Sequence, residues 1–273
     1  MLAAMTQQNP EPVNGSAFAV GGWEIDILVT GFPGKSVSHG SLGWSTIVLI
    51  RHGERLALVD CGAFGHRKLL AAELERRGLR PSDITDLLLT HTHYDHAVNW
   101  VLFPKARVVV GAVELDWAAG EPWGETVVPE LYVRELGLFP KTERVADGED
   151  VFPGITAHLA PGHTPGCLVF HLAGAGRDVV FTGDAAKNRA ELVSGDVDMT
   201  FDAAVSRASI EMIRGLWRAR PGTVLIPGHD LPMVLGEDGR PVYLGRREAA
   251  IDAWFGDGMD EVTRFQLTLE GSA

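Results

Sequence analysis

Three histidines and an aspartate fall within six positions of the stretch "THTHYDH": His91, His93, Asp95 and His96. Imidazole nitrogens and carboxylate oxygens bind divalent transition metals, and they are also the groups that move protons in catalysis. His91 and His93 stand two apart, so an extended backbone points them to the same side. A helix that opens near Asp95 turns Asp95 and His96 another way, and its N-terminus favours the carboxylate. That spacing serves two adjacent metal positions more naturally than one.

Three later segments each end an apolar run with one ligand-type residue in a glycine-rich turn. "LAPGHTPG" offers His163, "VVFTGDAA" offers Asp184 and "VLIPGHD" offers His229. Glycine and proline let the backbone turn sharply there and present a single side chain at a strand end. Nitrogen and oxygen donors without thiolate suit zinc, and also iron or manganese.

The elements that must position these residues are legible as patterns. Strands are expected at residues 24–30, 44–50 and 56–60, a helix at 65–78, and a buried strand at 84–90 leading into the histidines. A strand at 106–111 and a helix at 112–120 follow, and residues 121–140 show no clear period and read as an insertion or lid. Strands return in "GITAHLA", "CLVFHLA" and "DVVFTGD", then a helix at 201–219 and a strand at 223–227. "RREAAIDAWF" reads as a last helix and "EVTRFQLTLE" as an edge strand. Residues 1–20 are polar and read as loosely ordered, and 21–273 read as one domain without repeats or linkers. So many strands, several of them in hairpins, predict a mixed system of two sheets with outer helices.

The ordered set "HTHYDH", "PGHTPG", "TGD", "PGHD", with "LVDCG" upstream, resembles the metallo-β-lactamase-fold hydrolases over roughly residues 24–230. The resemblance implies an α+β fold, a four-layered αβ/βα sandwich of two mixed β-sheets flanked by helices. It implies two divalent metal ions, zinc first, with His91, His93 and His163 on one and Asp95, His96 and His229 on the other. Asp184 would bridge them, Asp60 would orient the metal-binding loop, and Asp95 would also carry a proton. Water activated by such a pair attacks a small carbonyl, and Asp95 and Asp184 are the expected catalytic carboxylates.

Among the branches of that family, the N-acyl homoserine lactonases look most similar, through "GHD", "PGHTPG", "AVELDWA" and "FDAAVSRASIEMI". Those lactonases place a tyrosine three residues after the bridging aspartate, whereas this chain has Lys187. Lys187 is expected either to bind an oxyanion or carboxylate of the substrate or to be a solvated loop residue. The expected activity is hydrolysis of a lactone or ester. A thioester hydrolase of the glyoxalase II kind is the alternative, although "GDAAK" replaces its usual "GDTLF". A phosphodiesterase or nuclease of the same fold is the other.

Composition narrows the field further. The chain has 273 residues, 24 basic and 36 acidic, for a net charge of −12. That balance argues against nucleic acid as a partner, because such affinity rests on cations at phosphates. No apolar run reaches the ~18 residues that span a bilayer, and no signal peptide is evident, so a cytoplasmic protein with a small-molecule substrate is expected. His39, on a loop, is a candidate to overhang the site. His52, His66, His158 and His171 read as structural or solvated, and Cys61 and Cys167 as small buried residues. Trp117, Trp123, Tyr132 and Phe139 are candidates for a pocket wall, for core packing or for a homodimer contact.

Overall fold

The computed structural model of the chain describes residues 17–38, 40–247 and 249–268. Two seven-stranded sheets divide the chain in sequence order. The first half begins with β1 (Ala17–Val20) and β2 (Trp23–Val29), then a small stand-off hairpin, β3 (Lys35–Ser36) and β4 (Gly40–Ser41). β5 (Ile47–His52), β6 (Arg55–Val59), α1 (Arg67–Arg76), β7 (Asp86–Leu88) and α2 (Tyr94–Ala97) follow. The half closes with β8 (Arg107–Gly111), α3 (Ala112–Gly120), α4 (Glu130–Leu138) and β9 (Thr142–Val145).

The second half holds β10 (Asp150–Phe152), β11 (Ile155–Leu159), β12 (Leu168–Leu172), β13 (Val179–Gly183) and α5 (Arg189–Ser194). It continues with α6 (Ala203–Ala219), β14 (Val224–Pro227), β15 (Met233–Leu235) and β16 (Pro241–Tyr243). β17 (Ala250–Trp254) and β18 (Val262–Gln266) pair only with each other. The first sheet runs β1-β2-β5-β6-β7-β8-β9 and the second β10 through β16 in order.

Strand alternation explains how these sheets become the middle of four layers. Val48, Ile50, Val59, Leu88 and Val109 face Phe170, Phe181 and Ile226 of the other sheet, forming the inter-sheet core. Their neighbours Ile47, Leu49, Leu58, Leu87 and Val108 point the opposite way, onto α1, α3 and α4. Both faces are buried, which is why these strands read as continuous apolar runs instead of alternating ones. On the second sheet, Ile210, Ile213 and Trp217 of α6 cover the outer face at helical spacing. Each large side chain so buried contributes about 1.5–3 kcal/mol. Asp202 starts α6 by accepting from the amides of Ala204 and Val205. Among the described residues no helix is long and apolar enough to cross a membrane.

Several expectations need correction. Residues 17–20, counted with the loose N-terminal segment, form β1 and pair with β2; residues 1–16 lie outside the described set. The segment 121–140 contains a regular helix, α4, whose Val133 and Leu136 are buried. The last helix expected in "RREAAIDAWF" is instead the strand β17, paired with β18 from Ala250↔Gln266 to Trp254↔Val262. Alanines favour a helix locally, but pairing with β18, including an Asp252–Arg264 bridge at 2.6 Å, overrides that preference. β18 accordingly belongs to this separate ribbon and not to the edge of a main sheet.

Candidate metal centre

The ligand-type residues all follow the carboxyl ends of strands. β6, β7, β8 and β9 run parallel, as do β13 and β14. Parallel strands release their chains at one edge, where open backbone turns converge. Asp60 follows β6, His91 to His96 follow β7, His163 lies between β11 and β12, Asp184 follows β13 and His229 follows β14. His93 caps the N-terminus of α2, which places Asp95 in its first turn.

Two glycines allow the loops to meet. Gly183 sits at φ 48°, and a Cβ there would lie 2.4 Å from Thr90 Oγ1. A Cβ on Gly228 would lie 2.2 Å from Asp184 Oδ1. Only glycine fits such approaches, and Gly228 N–H donates to Gly183 O at 3.0 Å.

The seven side chains come together in three overlapping trios: His91–His93–His163, His91–His96–Asp184 and Asp95–His96–His229. The ligand atoms of each trio lie within 4.8 Å of one another. His163 Nε2 is 2.9 Å from His93 Nδ1, and His96 Nε2 is 3.3 Å from His229 Nε2. Asp184 reaches both sides: Oδ1 is 3.2 Å from His96 Nε2 and 3.3 Å from His229 Nε2, while Oδ2 is 3.3 Å from His163 Nε2. Among the described residues, His91 Nε2 and Asp184 Oδ1 are buried without a hydrogen-bond partner. Buried polar atoms are almost always paired, so converging and unpartnered nitrogen and oxygen donors fit a bound divalent cation.

The electrostatics divide the cluster. Burial, reinforced by neighbouring imidazoles, holds His91 well below the usual histidine range. Burial likewise depresses His163 and brings His93 down to about 4. Burial also opposes the charged forms of His96 and His229, but Asp184 and Asp95 overcome it, raising both, His229 to about 9. In return, despite burial, His96 and His229 pull Asp95 down to about 2. The side of His91, His93 and His163 thus holds neutral imidazoles, whereas on the other side the protons on His96 and His229 offset the ionised Asp95 and Asp184 and are what a cation would displace.

Supporting contacts orient the ligands. Asp60 accepts from Thr90 N at 2.8 Å and from Thr90 Oγ1 at 2.8 Å, and pairs with His96 Nδ1 at 2.8 Å. The last bond puts the proton on Nδ1 and leaves Nε2 free to ligate. Asp60 itself sits at φ 57°, a left-handed conformation costing roughly 1–3 kcal/mol in a non-glycine residue. On the other side, wholly buried Glu114 accepts from Thr92 N and Thr92 Oγ1 at 2.8 Å and from Thr164 Oγ1 at 2.6 Å. It thereby ties the loop of His91 and His93 to the loop of His163. Sequence reasoning missed Glu114; its one local signal was an acid in the first turn of an otherwise apolar helix.

Lys187 is not a solvated loop residue. Its Nζ pairs with buried Glu191 at 2.8 Å, and its side chain is 13% exposed. Its carbonyl accepts from His229 N at 2.8 Å, which anchors the last ligand loop. His39 lies outside the described residues. Of the four aromatic residues considered for a pocket wall, Trp117 alone has a ring contact with a ligand histidine, at 6.2 Å from His93, and its ring in turn meets Phe201. Tyr132 packs on Phe64, Phe139 on Trp100, and Trp123 is exposed. Cys61 and Cys167 are fully buried, and burial pushes both thiols well above their usual range.

An αββα sandwich carrying a His/Asp cluster at the carboxyl ends of its strands defines the class. Residues 42–229 match the model of the Metallo-beta-lactamase superfamily, and the chain belongs to that family. An N-acyl homoserine lactonase of Bacillus sp is 26% identical over 175 residues, 63% of this chain and 66% of the relative. The chain thus spans just under two thirds of the length of the lactonases it matches. Metallo-beta-lactamase domain-containing protein 1 of Xenopus laevis is 25% identical over 240 residues, 83% of this chain and 88% of that protein. Among solved structures, AidC, a dizinc quorum-quenching lactonase in complex with a product, superposes with a TM-score of 0.66 at 17% identity. That likeness covers 85% of this chain and 98% of AidC.

Proposed function

We propose that the chain is a metal-dependent hydrolase with a dinuclear centre, occupied by zinc or else by iron or manganese, that opens a small lactone or ester. The observation that carries this reading is Asp184, whose two oxygens face opposite trios of ligands. His91, His93 and His163 would hold one cation, and Asp95, His96 and His229 the other. Such cations supply Lewis acidity that polarises a carbonyl and makes water acidic near neutral pH.

The chain's own residues do the rest. Asp95 has a side chain 16% exposed, against 6% for Asp184 and 0% for His96. It is therefore the carboxylate placed to take a proton from water and return it to the departing alcohol oxygen. Asp60 holds His96 in one tautomer, and Glu114 holds the two histidine loops in register. Lys187, paired with Glu191, serves the site by anchoring His229 rather than as a free ammonium. Trp117 and Phe201 offer an apolar edge beside His93 for the acyl part of a substrate. The lactonases of Bacillus and the AidC lactonase support a lactone as the ring opened. The same reading has the enzyme act in the cytoplasm on a small molecule, as a homodimer and without nucleic acid.

The test is proton release at constant pH by zinc-reconstituted protein, against lactones, open-chain esters, a thioester and a phosphodiester. Fast lactone or ester cleavage that Asp184→Asn abolishes is expected. Silence on every lactone and ester with two metals bound overturns the reading, and turnover of the thioester or phosphodiester alone reassigns it.

A further inference from the structure

We propose that the chain carries a second ligand site, a cleft for an organic anion, between α5, α6 and the β15–β16 hairpin. The cavity there measures about 830 Å³, the size of a small-molecule pocket. Arg189, Arg214, Arg218 and Arg240 line it, and no carboxylate does among the described residues. In a chain of net charge −12, four guanidinium groups around one cavity run against the average of the surface.

Their existing partners leave much of that charge unmatched. Arg214 is fixed in the wall by the carbonyls of Leu192 and Val193, each at 2.9 Å, and by Glu211. Arg240 approaches Asp238 only at 3.9 Å. The Arg189 guanidinium lies over the Tyr243 ring at 5.2 Å, with no ion pair to a carboxylate among the described residues. Arg218 is exposed and has no ion-pair partner among them either. Unmatched guanidiniums along one cleft repel one another until an anion lies between them, and their planar forks match phosphate and carboxylate oxygens.

Apart from Ser194, the rest of the lining is apolar or aromatic, with Trp217 and Tyr243 the largest members. The ligand class is therefore a phosphate or polycarboxylate borne on an apolar or aromatic body, with more than one negative charge. None of the seven metal-site side chains lines this cleft, so the site is separate from the centre. The two still share a neighbour. Arg189 N and Tyr243 OH both donate to Asp230 Oδ2 at 3.0 Å, and Asp230 directly follows His229.

Titration calorimetry on the metal-loaded protein tests this with adenosine 5′-diphosphate, citrate and uncharged adenosine as probes. One diphosphate or citrate per chain is expected, with adenosine giving no heat, and the stronger of the two anions tells phosphate from carboxylate. Arg218→Glu should weaken anion binding by at least about tenfold while leaving the melting temperature and any ester hydrolysis unchanged. Leu235→Trp, which projects a larger ring into the cleft and leaves every arginine in place, should weaken the binding as well. Affinity equal in wild type and both variants means that the anion is held at the metal centre alone, and overturns the proposal. So does the absence of heat from both anions.

Discussion

Replacing Asp60 by asparagine changes one oxygen into an NH2 group without changing the volume of the side chain, and its effect can be worked through atom by atom. Oδ1 can still accept from Thr90 N, and the Thr90 hydroxyl can rotate to accept from the new amide. His96 Nδ1, 2.8 Å from Oδ2, then faces a donor. The ring must either keep its Nδ1 proton against that donor, at about 1–3 kcal/mol, or move the proton to Nε2, the ligating atom. Either route lowers affinity for the cation on the Asp95–His96–His229 side by about 10–100-fold, and leaves the His91–His93–His163 side near its original value. Competition against a chromophoric chelator, read as two successive equivalents per chain, resolves the two sides. The expected result is one equivalent weakened and one retained. Two unaltered equivalents would refute the role given to Asp60, and equal loss at both would show that its hold on the Thr90 backbone matters more than the His96 tautomer.

In Glu114→Gln the Thr164 hydroxyl can turn to accept from the new NH2 group, but the backbone N–H of Gly166, which also bonds to Glu114, can only donate. The metal-free protein should therefore lose about 1–3 kcal/mol in urea unfolding. The variant should also bind the His91–His93–His163 cation more weakly, the reverse of the Asp60 pattern. The metal-free protein should be most stable near pH 6.5. His93, at about 4 when folded, leaves the unfolded chain binding more protons as pH falls from 6.5 to 4. His229, at about 9, holds a folded-state proton whose benefit is lost as pH rises from 6.5 through 9. Each contributes up to about 3 kcal/mol, measurable as urea midpoints across pH. Zinc at 100 times its dissociation constant should add about 2.7 kcal/mol for each position it fills and raise Tm by roughly 5–10 °C per position, an increment that a chelator removes.

The residues that cluster at the centre were readable because ligation tolerates few residue types and each stands at a strand end. The continuous run Leu87, Leu88, Leu89 announced a buried strand, and the number of strands, several of them in hairpins, led to two sheets with outer helices. Glu114 was illegible because its partners lie 22 and 50 residues away, and nothing local distinguishes it from a surface acid. Ala250–Trp254 misled because its local composition favours a helix, whereas its conformation is decided by a partner strand. Lys187 could be located but not given a setting, since Glu191, one helical turn on, decides whether its charge is free. Aromatic character alone did not separate Trp117, beside His93, from Trp123 on the surface.

The boundary between the sheets coincides with a boundary in the chain: β9 ends at Val145, β10 begins at Asp150, and neither main sheet takes a strand from the other half. His91, His93, Asp95 and His96 belong to the first half, and His163, Asp184 and His229 to the second. Each trio draws residues from both halves, so a cation bound there would act as a reversible cross-link between two chain segments. Cut in the turn at residues 146–149, the protein becomes two fragments that the apolar inter-sheet core would still draw together, and metal would be expected to tighten that association. Such a centre would be a clasp as well as a site of chemistry.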